Sequence, residues 1–533
     1  MVFTANPKRL QTNIFKKTNT INNLKTKDMN FFKRLTGIGK ATVIIVLVAI
    51  IGAVLYFTGA LNSITKHGKK GGYDAVIAVN TYCGFEPIVY ANGGLEGTED
   101  SYLYKKYGLK FKILIMDDFD AARAGLKDGS IDIEYCTLDA LPTEMSSSGT
   151  MSDMRYFMLL NFSAGADAIV ADAGINNIAD LKGKKVAYAE GTASHTLLMN
   201  ALETNSMTMD DIIPVKVGSG IEAAQAFKSR AVSAACVWAP DDEDCIAGVK
   251  GAKVLTSTAV ASSLVSDGLI AKKEWLDNNK ELAAKIVEAI LWANSEIKYN
   301  QAAFDEGAEV FAKAFETDKE FALASAQKIN YATLEDEKNW FGLEPTYSGM
   351  TGERIYTKMS RSYSDVGLAK SVMPWNKVAY SEIVEMVIAN NKLDNRQTAT
   401  GTAERTFTAP TQKMETQAAL SNKKVTINFA TNSSTLDNEA RTTIDKEFVD
   451  IAMQFSNARI RVEGNTDNTG NYNSNVALSK ARAQAVVNYL VSEYKMDKNR
   501  FIVVGNGPKH AIEDHVDGAN ADYRTTDFQL IVE

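Results

Sequence analysis

Over residues 73–393, short apolar segments alternate with helical patterns, and this alternation restricts the fold more than any other feature of the chain. Residues 74–79 and 111–116 are strand-length apolar runs bounded by polar or Gly-containing turns. Residues 120–127, 194–202, 221–229 and 280–297 carry helical patterns. Short strands alternating with helices predict parallel α/β layers. Two stretches also resemble each other: 122–136 runs helix, Lys127-Asp128-Gly129-Ser130, strand, and 223–238 runs helix, Lys228-Ser229-Arg230-Ala231, strand. An internal repeat of this kind predicts two lobes with related folds.

The 533 residues suggest about three domains. A content of 45% hydrophobic and 23% charged residues is that of a folded globular chain. Four Cys in this length exclude a scaffold built on disulfides. The net charge of −7 conceals an asymmetry: the first forty residues carry nine Lys/Arg against Asp28, a local +8 that leaves −15 on the remainder. An acidic body argues against nucleic acid as its partner.

The basic head, residues 1–40, precedes an uncharged apolar run at 41–61. Twenty-one residues rise about 31 Å as a helix, enough for a hydrocarbon core of about 30 Å. The expectation is a single transmembrane helix, N-terminus in the cytoplasm and bulk in the periplasm, anchored in the inner membrane. A cleaved signal peptide competes with this reading, although the run is long for one and no A-x-A site follows. Met29 is a plausible start. The run has no ionisable residue, which argues against a proton-driven motor subunit.

A series of motifs in the central region carries a resemblance. Gly108-Leu109, Ala124-Gly125-Leu126-Lys127-Asp128-Gly129-Ser130-Ile131-Asp132 and Gly165-Ala166-Asp167-Ala168-Ile169-Val170 come first. Ile178-Ala179-Asp180-Leu181-Lys182-Gly183-Lys184-Lys185-Val186-Ala187, Glu190-Gly191-Thr192-Ala193-Ser194-His195 and Val237-Trp238-Ala239-Pro240 follow in order. The series resembles periplasmic solute-binding proteins of the nitrate/sulfonate/taurine and thiamine-precursor type. That resemblance implies a two-lobed, type II-like periplasmic-binding-protein fold, closure over a small ligand, and delivery to an ABC transporter permease.

The candidate cleft residues are Thr81, Tyr82, Gly84 and Phe85 after the first strand, Thr137 after another, and Ser163 where the chain crosses between lobes. Gly191, Thr192 and Ser194 form a turn before a helix, and Trp238 follows its strand. Free N–H groups at a helix start, with Thr and Ser hydroxyls, suit an anionic or carboxylate-bearing ligand. Ser194 reads equally well as a simple N-cap. Trp238 could stack on a ligand, though a Trp in this position is more commonly core. Asp241-Asp242-Glu243-Asp244 reads as a solvated loop, and no Arg is evident in the cleft loops. His195 reads as an ordinary helix residue. Cys236 and Cys245 could pair in an oxidising envelope, or all four thiols stay free. No Ser-His-Asp order, phosphate loop or His/Cys cluster suggests catalysis, so neither an enzyme nor a cofactor or metal is expected.

Residues 394–422 are rich in Thr, Ala and Gln, lack a period and read as a flexible linker. In 423–533, Val425, Ile427 and Phe429 alternate as a strand. Ile444, Phe448, Ile451, Ala452 and Phe455 share a helix face. A further helix is expected over 475–494, and strands around Ile460, 501–504 and 528–532. The pattern is a small α/β sandwich.

The motifs of this region resemble OmpA-like peptidoglycan-binding domains: Asn428-Phe429-Ala430, Val462-Glu463-Gly464-Asn465-Thr466-Asp467-Asn468-Thr469-Gly470, Asn475-Val476-Ala477-Leu478-Ser479-Lys480-Ala481-Arg482-Ala483 and Gly505-Asn506-Gly507. The resemblance implies that Asp467 takes the ammonium, and Arg482 the carboxylate, of diaminopimelate in the peptidoglycan stem peptide. Thr466 and Asn475 complete the expected site. A zwitterion matches one anion and one bidentate cation; an Asp467–Arg482 pair that merely braces the loop is the competing reading. Asn465 replaces the family's His, and Arg524-Thr525-Thr526-Asp527-Phe528-Gln529 lacks two of its cations.

The combined expectation is a membrane-anchored solute-binding protein gripping the wall. The alternative is a membrane-to-wall tether whose lobes act as a spacer. An open polar cleft favours the receptor and a filled cleft the tether.

Overall fold

The computed structural model describes residues 70–532 except 148, 391, 394–405 and 431. Residues 1–40 and the expected transmembrane segment at 41–61 lie outside the described residues. No described helix is long and apolar enough to cross a membrane. The two longest, Lys280–Tyr299 and Tyr472–Tyr494, each carry several charged side chains and pack on sheets or neighbouring helices. The expected single-pass inner-membrane placement is therefore corrected: the described structure contains no spanning helix.

The central region supplies eleven strands: β1 (Ala75–Val79), β2 (Phe111–Ile115), β3 (Ile133–Thr137), β4 (Met154–Ser163), β5 (Asp167–Ala171), β6 (Lys185–Ala189), β7 (Ile213–Val217), β8 (Ala234–Trp238), β9 (Lys253–Ser257), β10 (Ser266–Lys272) and β11 (Ile329–Tyr331). They form two sheets, β11-β4-β10-β3-β1-β2 and β7-β6-β8-β5-β9. Within each sheet three strands run parallel. The next strand runs antiparallel to them: β10 against β3 in the first sheet and β5 against β8 in the second. The strand orders β2-β1-β3-β10-β4 and β7-β6-β8-β5-β9 thus have the same form, and the expected repeat is real. Helix Phe119–Asp128 leads into β3 as helix Gly220–Lys228 leads into β8.

The antiparallel strand of each sheet follows a crossing from the other lobe, at 164–166 and again at 258–265. Thr258, fully buried, ties the crossings together. Its hydroxyl accepts the N–H groups of Gly165 (3.0 Å) and Asp167 (3.1 Å) and lies 2.7 Å from Ser163 Oγ. One buried hydroxyl satisfying two backbone donors gives the crossings a common pivot.

The C-terminal region adds β12 (Ser421–Val425), β13 (Arg459–Asn465), β14 (Phe501–Gly507) and β15 (Thr526–Ile531), ordered β12-β15-β13-β14. The apolar face expected over 444–455 is buried: Ile444, Phe448, Ile451, Ala452 and Phe455 are at most 3% exposed. A π-helical turn at Asp445–Val449 interrupts that helix.

The expected linker boundary requires correction. Residues 394–405 lie outside the described residues, but the chain from 406 onward belongs to the C-terminal domain. Phe407 is buried beneath the Arg459 guanidinium, whose carbon is 5.3 Å from the ring centroid. Arg461 donates to the carbonyls of Met414 (3.1 Å) and Gln417 (2.7 Å). β12 begins at Ser421 and ends at Val425, earlier than the alternating residues suggested. A Thr/Gln-rich sequence without periodicity is thus held by two arginines from β13 rather than by its own apolar side chains.

The domains are also docked. Gln454, fully buried, accepts from Asn200 Nδ2 (2.6 Å) and Lys358 Nζ (3.0 Å), and its carbonyl accepts from Ser263 N (3.2 Å). Ser262 and Ser456 hydroxyls meet at 3.1 Å. The C-terminal domain therefore rests on the returning crossover and the second lobe.

Candidate functional site

Between the lobes lies a cavity of about 340 Å³. Seven of the expected residues line it: Thr81, Tyr82, Phe85, Thr137, Gly191, Thr192 and Trp238. Strand ends and the turns after them position these residues, as in open α/β sheets generally.

Three expected residues are elsewhere. Gly84 packs rather than lines: its carbonyl accepts from Asn161 Nδ2 (3.0 Å), and a Cβ there would sit 2.5 Å from the Tyr82 ring. Ser163 is buried against Thr258. Ser194 is 1% exposed inside helix Ala193–Glu203, and Thr192 is the residue at that helix's N-cap. The expected N-cap role of Ser194 is corrected accordingly.

The first lobe contributes an aromatic wall. Tyr135 stands 5.0 Å from Phe85 and 5.7 Å from Phe119 between ring centroids, and Tyr82 stands 5.8 Å from Phe85. The second lobe contributes Trp238, which rests on Gly220: a Cβ there would lie 2.8 Å from the indole. Glycine at the start of that helix lets the ring lie flat on the backbone.

The polar lining differs from the expected one. No Arg comes from the cleft loops named above, but Arg123, on helix Phe119–Asp128, lines the cavity. Its guanidinium is consumed by Glu134 and Glu144, with Nε 2.6 Å from Glu144 and Nη1 3.0 Å from the Tyr135 carbonyl. Helical periodicity placed Arg123 on a helix face without revealing that the face abuts the cleft. Asp167, at the start of β5, and Asp267, on β10, also line the cavity and are 4% and 3% exposed. Burial raises the Asp167 carboxyl to about 6. Burial, followed by the nearby Asp167 and Asp139 charges, holds Asp267 well above the usual carboxylate range. Asp267 Oδ2 and the Tyr135 hydroxyl have no hydrogen-bond partner among the described residues.

Other expectations resolve around the cavity. The 241–244 acidic run opens helix Asp241–Gly248 instead of forming a solvated loop, and Asp242 pairs with Lys328 at 3.0 Å. His195 accepts from Gly191 N at 3.3 Å, and burial lowers it to about 4. It packs between Tyr188 and Tyr363 and does not line the cavity. All four cysteines are free and buried, so the Cys236–Cys245 pairing is not formed.

In the C-terminal domain, Asp467 is 7% exposed at the end of β13 and accepts from the Thr469 hydroxyl. Thr466 is buried, its N–H bonded to the Gly507 carbonyl (2.8 Å) and its hydroxyl to the Asp467 carbonyl (3.0 Å). Asn475 donates to the Thr469 carbonyl at 2.7 Å, fastening the loop to helix Tyr472–Tyr494. Arg482, on that helix, donates through Nε to the Ser433 carbonyl (3.0 Å) and lies 4.9 Å from the Phe429 ring centroid. Asp467 therefore does not brace Arg482. Its ionic neighbour is Arg524, at 3.7 Å, which the sequence reading counted only as a remnant of a longer motif. Burial, then the Arg524 charge, lowers the Arg482 guanidinium from its ordinary value.

Among the described residues, Glu463, His510 and Asp527 bring ligand atoms within 4.8 Å of one another. Glu463 is already paired with Arg461 at 2.7 Å and accepts from Asn506 at 2.8 Å, which leaves a cation little to gain there.

Residues 159–302 match the NMT1/THI5 like family, and residues 428–524 match the OmpA family. A putative binding protein of Brucella abortus is 26% identical over 236 residues, 44% of this chain and 71% of the relative. The outer membrane protein Omp38 of Acinetobacter baumannii is 37% identical over 84 residues, 16% of this chain and 23% of the relative. Among solved structures, the periplasmic aliphatic sulphonate binding protein SsuA of Escherichia coli is similar with a TM-score of 0.47 at 18% identity, covering 58% of this chain and 92% of that one. The chain joins an NMT1/THI5-like region, within a two-lobed α/β domain, to a C-terminal OmpA-family domain.

Proposed function

We propose that this protein is a solute-binding protein of the cell envelope that captures a small ligand by lobe closure and holds peptidoglycan through its C-terminal domain. The observation that carries the reading is the polar, aromatic-walled cavity between two lobes joined by paired crossings. Its volume of about 340 Å³ is at the small end of ligand pockets. A spacer would have no use for an open cavity with unpartnered polar atoms, since filling it with apolar side chains would be more stable. The cavity supports capture without covalent chemistry, and the proposal includes delivery of the ligand to an ABC-type permease.

At the wall end, Asp467 would receive an ammonium and Arg482 a carboxylate of the diaminopimelate side chain, with Thr466 and Asn475 holding the loop. Arg482 is anchored by backbone carbonyls and an aromatic face rather than by an acidic side chain, so its charge remains available.

Trp238 provides a direct test, because a ligand entering the cavity meets the indole. Titration of the full chain with a bound solute is expected to change tryptophan emission saturably. Trp238→Phe is expected to remove most of that change, although four other tryptophans remain. An unaltered signal in Trp238→Phe would place the ligand elsewhere.

A further inference from the structure

We propose that the cavity takes an organic cation, a protonated amine on a flat apolar body, with its N–H groups received by Asp167 and Asp267. This deepens the reading of the cavity as a solute site and rests on it.

Charge is the first argument. Asp120, Glu144, Asp167, Glu190 and Asp267 line the cavity, and Arg123 is the cation among the lining residues. Arg123 is held by Glu134 and Glu144, so it is not free to receive an anion. Glu190 is paired with Lys216 at 2.5 Å. Asp120 is exposed, which leaves Asp167 and Asp267 as the buried carboxyls, one from each side of the paired crossings, with no cationic partner among the described residues.

Satisfaction is the second argument. A buried carboxylate without a cationic partner is costly, and burial raises both carboxyls above their ordinary range. Asp267 is 3% exposed, and its Oδ2 has no hydrogen-bond partner among the described residues. The Tyr135 hydroxyl beside the same space is also unpartnered. An ammonium supplies several N–H donors and the missing positive charge at once. A sulfonate, nitrate or carboxylate would instead meet two carboxyls and no available cation, and each like-charge approach is unfavourable in a site screened from water.

The walls supply the third argument. Tyr82, Phe119, Tyr135 and Trp238 surround the space, and aromatic faces attract cations while covering an apolar body. Because Asp167 and Trp238 are directly paired across β5 and β8, charge recognition and stacking fall at one strand position. The two carboxyls flank the crossings, so a cation bridging them would favour the closed arrangement.

Calorimetric titration of the full chain with benzylamine, phenethylamine, benzyl alcohol and benzenesulfonate tests the assignment. The amines are expected to bind saturably and at least about tenfold more tightly than the alcohol or sulfonate, a difference of about 1.4 kcal/mol. Asp267→Asn and Asp167→Asn are each expected to weaken amine binding at least about tenfold. Their thermal midpoints should be unchanged or raised, because a buried unpaired carboxyl is removed. Tighter binding of benzenesulfonate than of the amines, or amine affinity indifferent to both substitutions, overturns the cation assignment while leaving a solute receptor. Absence of binding by all four probes overturns the cation assignment, and the receptor reading then falls only if nitrate, alkanesulfonates and amino acids also leave the thermal midpoint unmoved.

Discussion

Arg482→Glu is expected to abolish co-sedimentation of the full chain with purified peptidoglycan sacculi. In the native protein the guanidinium is fixed by the Ser433 carbonyl and the Phe429 ring, and among the described residues no acidic side chain forms an ion pair with it. A glutamate at this position would present negative charge to a carboxylate and would leave the Ser433 carbonyl without its donor. Charge-assisted bidentate pairs are the strong ones, and loss of one partner costs roughly 2–5 kcal/mol, about thirtyfold or more in affinity. Arg482→Lys separates charge from geometry: it keeps the cation but loses the planar fork, so pelleting should weaken without vanishing. Unchanged pelleting of Arg482→Glu would remove the wall-site assignment. Arg524→Gln provides a complementary reading, since it frees Asp467 from its ionic neighbour and should not mimic the loss at Arg482.

The second large effect is structural. Gly464 lies near the C-terminal end of β13, paired with Gly505 on one side and Thr526 on the other. A Cβ there would be 2.1 Å from the Ser479 carbonyl oxygen and 2.8 Å from its carbon, both helix backbone. Backbone on both sides cannot yield as the tip of a flexible side chain can. Gly464→Val is therefore expected to destabilise the C-terminal domain by about 3 kcal/mol or more, which many domains do not survive. Calorimetry should show an early or missing transition for that domain, with sacculus binding lost in parallel. Gly174→Ala, where a Cβ meets nothing within 4 Å, serves as the control and should leave the melt unchanged. A native melt for Gly464→Val would mean that the helix and strand do not approach as described.

These residues also show what could be read from the sequence. Gly464 and its neighbours belong to a contiguous motif, and Arg482 follows at helical spacing, so local pattern was enough to find them. The repeat that gave related lobes was likewise local: a helix, a tight turn and a strand, occurring twice. Asp167 and Asp267 were quoted within their motifs but were not read as a pair. They lie a hundred positions apart and come together because two separate crossings run side by side, which no periodicity reports. Arg123 was hidden for a related reason. Its partners Glu134 and Glu144 sit on another strand and a following turn, so neither its place in the cleft nor its neutralisation was visible in the helix pattern. The early start of the C-terminal domain escaped notice because Arg459 and Arg461 hold 407–417 by backbone hydrogen bonds and a cation–π contact, and these leave no apolar signature.

The Gly191–Ser194 turn suggested an anionic ligand, whereas the proposed cation assignment rests on residues outside that motif. Gly191 and Thr192 do reach the cavity, and helix Ala193–Glu203 does begin there. Under the proposed cation assignment, the carboxyls opposite them set the charge preference.

Thermal unfolding of the full chain tests the central claim most directly, measured against graded concentrations of protonated amines, alkanesulfonates, nitrate and amino acids. A receptor requires that at least one class raise the first unfolding midpoint saturably, with about 2.7 kcal/mol of added stability at a hundred times its dissociation constant. A rise with amines that disappears in Asp267→Asn is the predicted result. A cooperative melt that no compound moves would contradict a solute receptor and leave the two lobes as a spacer attached to a wall-binding domain.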